Sequence, residues 1–124
     1  MPDESTTVAD LRRVVADFVA QREWQHYHDA KNLSMAVAIE AAELMEHFQW
    51  VRNDELPALL ADARLRAQIC DEFADVTCFL LSLANALDVD LSEAVRAKVE
   101  KNAAKYPADR FRGQYFKPGS SESR

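Results

Sequence analysis

The fold is decided by Ile69-Cys-Asp-Glu-Phe-Ala-Asp75-Val-Thr-Cys-Phe-Leu80-Leu-Ser-Leu-Ala-Asn85-Ala-Leu87. Its large apolar residues Ile69, Phe73, Val76, Leu80, Leu83 and Leu87 recur at alternating steps of four and three, the period of one helix face. The run Val76–Leu87 is broken by Ser82 and Asn85 and falls well short of the roughly 20 apolar residues a bilayer needs, so it reads as a core helix.

The same spacing recurs on both sides. Leu11, Val14, Val15, Phe18 and Val19 predict a first helix from Thr6 or Thr7 to about Tyr27. His28–Asn32 reads as a connector, and Asn32 or Ser34 can cap a second helix to about Arg52, with stripe Leu33, Val37, Ala41, Leu44, Phe48 and Val51. Asn53-Asp54 breaks it, and Asp54 with Pro57 starts a helix-compatible stretch to Leu87, a short helix followed by a long one. Asp90-Leu-Ser-Glu93 has capping-box spacing and opens a last helix that Pro107 stops near Tyr106. The tail from Ala108 reads as loop, frayed over Gly119–Arg124.

Two Gly and four Pro among 124 residues leave few tight turns, and strand patterns are lacking. The expected fold is all-α, an antiparallel four-helix bundle, with a single helical domain over 1–107 and a tail over 108–124. Cys70 and Cys78, eight apart on one helix and so about 12 Å apart, cannot pair. The N-terminus lacks a signal-peptide pattern, which makes the cytoplasm the expected compartment and a membrane association unexpected.

A net charge of −6 argues against a nucleic-acid polymer as partner. The charge is unevenly spread: seven basic against eighteen acidic side chains up to residue 95, then eight against three. An acidic body suits cations and a basic end suits phosphate.

Acids also flank the apolar stripes. At about 100° per residue, Glu40 and Glu43 lie near −60° and −120° from Val37, and Glu72 and Asp75 lie at the same offsets from Ile69. A lone pair of this kind is ordinarily a solvated helix edge. Two matching pairs on antiparallel helices bring four carboxylates together, which demands protonation or a cation. All-oxygen ligands suit Mg²⁺, with Mn²⁺ as the alternative, better than zinc. The third residue after Glu40, Glu43 and Glu72 is never His, which argues against a ferritin-like di-iron centre. Glu46 falls on the opposite side, and His47 reads as a polar rim residue.

Trp24-Gln-His-Tyr-His28, Lys31-Asn-Leu33, Glu40-Ala-Ala-Glu43-Leu44, Phe48-Gln-Trp50, Asp71-Glu72-Phe-Ala-Asp75-Val76 and Lys98-Val-Glu-Lys-Asn102-Ala-Ala-Lys105-Tyr106-Pro107 stand in this order. Together they resemble the MazG-like all-α nucleoside triphosphate pyrophosphatases, in particular the dCTP pyrophosphatase branch. The resemblance implies hydrolysis between the α and β phosphates, with Glu40, Glu43, Glu72 and Asp75 as catalytic metal ligands for Mg²⁺. It further implies a base site lined by Trp24, His28 and Trp50, phosphate contacts from Lys98, Asn102, Lys105 and Tyr106 with Lys31 in reach, and a homo-oligomer, a tetramer built as a dimer of dimers or a dimer. Phe79 stands where dCTP-specific relatives carry a tyrosine, and Val15 where they carry a base-contacting histidine. Both changes remove polar contacts, so the expected substrate is dCTP or a related or modified deoxynucleotide, in a house-cleaning role. The competing expectation is a non-catalytic helical interaction module with an acidic surface patch.

Overall fold

Thr7 and Asp10 set the start of the first helix. The Thr7 hydroxyl accepts from the Asp10 backbone N–H, and the Asp10 carboxylate accepts from the Thr7 N–H at 2.9 Å, a complete capping box. The Thr7 donors hold the Asp10 carboxyl below its ordinary range. The computed structural model describes residues 1–115, and over these the chain is helical with no strand. The predicted fraying over Gly119–Arg124 lies outside the described residues.

Helix α1, Val8–Gln21, ends six residues short of the predicted Tyr27. Glu23 adopts a left-handed conformation at φ 53°, its N–H bonding the Ala20 carbonyl, while the Trp24 N–H bonds the Val19 carbonyl. This is the Schellman arrangement, which glycine ordinarily occupies and which the sequence conceals behind a glutamate. A short 3₁₀ turn, Gln25–Tyr27, follows.

Helix α2 runs Ala30–Glu46 and is capped by Asp29, whose carboxylate accepts from the Asn32 N–H at 2.8 Å, not by Asn32 or Ser34. It ends before the predicted Arg52, so Phe48, Trp50 and Val51 sit in turns beyond the helix. A 3₁₀ turn at Asn53–Glu55 leads into α3, Leu56–Ala61, with Pro57 in its first turn. Asp62 then caps α4, Ala63–Leu87, through the N–H groups of Arg64 and Leu65. The short-then-long helix pattern is thus observed.

Residues up to Asp88 form one compact unit. Within it α4 is the hub, packing against α1, α2 and α3. The start of α2 lies by the second half of α4, where the rings of His28 and Phe79 are 6.5 Å apart, whereas Glu40 and Glu43 meet Glu72 further back. Advance along α2 matches retreat along α4, so the two are antiparallel. Arg12 ties α1 to the end of α4: its Nε donates to Asn85 Oδ1 at 2.8 Å, and Asn85 Nδ2 donates to the Arg12 carbonyl.

The apolar side chains covered best are Val19, Leu33, Leu81 and Ala84, where α1, α2 and α4 meet. The stripe of α4 is covered only in part: Phe73 is 63% exposed, and Leu80 and Leu87 are also exposed.

The second unit begins at Val89. Asp90 caps α5, Leu91–Lys105, by accepting from the Glu93 N–H. Tyr106 ends it, its N–H bonding the Asn102 carbonyl at 2.7 Å. The tail expected to be loop contains one further turn, α6, Ala108–Phe111, whose Phe111 ring packs edge-on against Tyr106 at 5.1 Å.

Glu23 pays a left-handed penalty that glycine would not, so Glu23→Gly is expected to raise stability by about 1 kcal/mol. Thermal melts check this; a lower melting temperature would show that the Glu23 side chain matters more than its backbone strain.

Candidate functional site: a carboxylate cluster between α2 and α4

Three acids converge where α2 crosses α4. One oxygen from each of Glu40, Glu43 and Glu72 lies within 4.8 Å of the others, and all three residues are half-buried. The one-turn step from Glu40 to Glu43 puts both on one flank of α2, and the antiparallel approach of α4 presents Glu72 to them. Asp75 is one turn beyond Glu72, exposed and outside this trio, yet close enough for its charge to act on both Glu40 and Glu72.

Crowding and burial raise two of the carboxyls of the site. Desolvation, followed by hydrogen bonding to Glu43 and the charges of Glu43, Asp75 and Glu72, pushes the Glu40 carboxyl from 4.5 to about 7. Glu72 is raised by desolvation first and then by Glu43 and Asp75, with His47 pulling weakly the other way. Oε2 of Glu40 and Oε2 of Glu72 are each buried without a hydrogen-bond partner. Buried acceptors of this kind ordinarily have a donor or an ion. Clustered hard oxygens with two orphaned acceptors fit a divalent cation.

Cys70 and Cys78 are free, and burial, then the Asp75 charge, pushes the Cys78 thiol up, away from the reactive thiolate.

The other expected site residues fall into separate groups. His28 and Phe79 are close enough for ring contact, one turn beyond Asp75 in the second half of α4. Trp24 meets Phe18 edge-to-face at 5.8 Å, and the Arg22 guanidinium covers the other partner, 3.7 Å from the Phe18 centroid. Trp50 is 86% exposed on the turn after α2. Lys31 is exposed in the first turn of α2. Lys98, Asn102 and Lys105 lie along α5 in the second unit, with the Lys105 ammonium 5.5 Å from the Tyr106 ring.

Comparison with known proteins defines the class. The MazG-like family matches residues 35–115, a span that contains the acid pairs of both helices and the whole of α5. The chain belongs to the MazG-like family. It is 37% identical over 111 residues to dCTP pyrophosphatase 1 of Bos taurus, covering 90% of this chain and 66% of that protein. To dCTP pyrophosphatase 1 of Homo sapiens it is 39% identical over 102 residues, 82% of this chain and 60% of that protein. It thus spans about two thirds of the length of these curated relatives or slightly less. The crystal structure of a pyrophosphatase from Archaeoglobus fulgidus is similar with a TM-score of 0.76 and 37% identity, over 86% of this chain and 98% of that one.

Because the folded state holds a proton on Glu40 between 4.5 and about 7 that the unfolded chain releases, this carboxyl favours folding at low pH and loses that contribution as pH rises through about 7. In chelator, the melting temperature is expected to fall over this window, less so in Glu40→Gln, and Mg²⁺ should remove the fall by compensating the ionised cluster. Melts that are insensitive to both the substitution and the cation would contradict a strained acid cluster.

Proposed function

We propose that the protein is a Mg²⁺-dependent nucleoside triphosphate pyrophosphohydrolase that cleaves between the α and β phosphates and gives a monophosphate and pyrophosphate. The observation that carries this reading is the meeting of Glu40, Glu43 and Glu72 with two orphaned buried oxygens. The similarity to pyrophosphatases supports the same reaction. The substrate is dCTP or a related or modified deoxynucleotide, and the role is house-cleaning of the nucleotide pool in the cytoplasm. No helix among the described residues is long and apolar enough to cross a membrane.

Glu40, Glu43 and Glu72 would hold the cation, with Asp75 completing the set from the next turn of α4. Bound there, Mg²⁺ supplies charge neutralisation for the triphosphate and a lowered pKa for a water on it. The chain's own groups do the remaining work. His28 and Phe79 offer a ring surface for a base near the end of α4, and Trp24 and Trp50 offer further stacking faces. Lys98, Asn102, Lys105 and Tyr106 on and after α5, and Lys31 on α2, are the phosphate-binding residues of this reading. Residues 1–107 act as one catalytic domain.

The enzyme works as a homo-oligomer, a dimer or a tetramer built as a dimer of dimers. Exposure of Ile39, Phe73 and Leu80 on α2 and α4 leaves apolar surface that a second copy would cover. Light scattering should give a dimer or tetramer, and a strict monomer at micromolar concentration would rule that assembly out.

The direct test is pyrophosphate release from a panel of canonical and modified nucleoside triphosphates, with Mg²⁺ and with chelator. Release should require the cation and be lost by at least about a hundredfold in Glu43→Ala with helicity retained. Trp50→Ala should raise KM about tenfold through lost stacking, with kcat nearly held. A folded, metal-loaded protein that releases no pyrophosphate from any nucleotide would leave the interaction-module reading in its place.

A further inference from the structure

A cavity of about 670 Å³ opens where α1, the Gln25–Tyr27 turn, the start of α2 and the end of α4 meet, entirely within the first unit. Its volume is in the range of small-molecule sites. Much of its wall is alanine and Val19, with polar groups from Gln25, His28, Asp29, Ser82 and Asn85. Two of these are occupied by the fold itself. Asp29 caps α2, and Asn85 is engaged by Arg12 through both its oxygen and its nitrogen.

Ser82 is different. It is only 7% exposed, the one buried polar residue among the described residues, and it lines the cavity. Its hydroxyl makes no hydrogen bond among the described residues, although Thr77 on the same helix bonds back to the Phe73 carbonyl at 2.9 Å. The buried oxygens without a partner among the described residues are those of Glu40 and Glu72, so the Ser82 hydroxyl faces the open cavity, where water or a ligand can pair with it. Seven residues separate it from Asp75, which places it on the same face of α4 about 10.5 Å from that acid along the axis. Phe79, one turn closer to the acids, stands between them against His28.

We propose that Ser82 is a specificity-determining residue of the hydrolase, its hydroxyl hydrogen-bonding the polar edge of the substrate's nucleobase inside this cavity. The inference rests on the pyrophosphohydrolase reading and deepens it. The occupant is a planar heteroaromatic base: the small alanine side chains of the wall leave room for a ring, and His28, which also lines the cavity, stands with Phe79 on the side of the carboxylates. The sugar and first phosphates then bridge the two turns between Ser82 and Asp75. A hydroxyl can both donate and accept, so it matches a ring carbonyl or an exocyclic amino group and discriminates against a base whose edge is apolar at that point.

Kinetics of Ser82→Ala and Ser82→Thr across the panel of nucleoside triphosphates test this. In Ser82→Ala the ratio of kcat/KM between the preferred base and the others should fall about threefold to tenfold, mainly through KM, and Ser82→Thr should restore most of it. The Ala variant should melt no lower than the wild type, since the hydroxyl bonds no other described group and alanine is the better helix former; a purely structural serine would instead lower the melting temperature without altering the ratio. Hydrolysis by the wild type with base ratios unchanged in Ser82→Ala overturns the role of Ser82 and leaves the hydrolase reading standing. Absence of hydrolysis by the wild type overturns both.

Discussion

Mutual repulsion among carboxylates held together by the packing of α2 on α4 is the constraint on which the rest of this molecule turns. The helices approach because Leu33 and Leu81 are removed from water, and the same approach forces Glu40, Glu43 and Glu72 within 4.8 Å. Hydrophobic burial is non-directional and cannot avoid this arrangement once the acids flank the stripes. Without a counter-charge, desolvation first and then the neighbouring carboxylates raise the Glu40 carboxyl to about 7. A site that is uncomfortable when empty and comfortable when loaded is one whose ligand stabilises the fold.

The architecture around the cluster serves that one juxtaposition. Asp62 and Asp29 start α4 and α2, and the Arg12–Asn85 pair fixes α1 across the far end of α4. The acids therefore lie on helices anchored beyond them, not on loops, which keeps their separation insensitive to local motion. The cavity beside Ser82 lies beyond Phe79 on the same hub helix, so α4 carries acids at one level and lines a recess at another.

Much of this was legible in the chain. Stripes of period 3.6 and matching angular offsets of Glu40, Glu43, Glu72 and Asp75 anticipated both helices and the meeting of the acids, because side-chain direction on a helix follows from position alone. Helix ends were less legible. Glu23 occupies a left-handed position that a glycine would have announced, so α1 was read through to Tyr27, and Asp29 capped α2 one turn before the polar residues expected to do so. The exposure of Phe73 could not be read from periodicity, since a stripe tells which residues share a face and not whether one chain covers it. Asp75 matched Glu72 in pattern but stays exposed at the rim of the trio. Ser82 and Asn85 did leave a signal, as the two polar breaks in the apolar run of α4, but nothing in the chain distinguished the residue bound by Arg12 from the one left facing a cavity.

The proposed cation site takes its carboxylates from two different helices, α2 and α4. Titration with Mn²⁺ followed by electron paramagnetic resonance, on the wild type and on Glu43→Gln and Glu72→Gln, tests it most directly. The wild type is expected to bind the ion without nucleotide, and each substitution, one on α2 and one on α4, to weaken binding to a similar extent while the protein stays folded. Binding that survives both substitutions, or a wild type that binds no Mn²⁺, would contradict it.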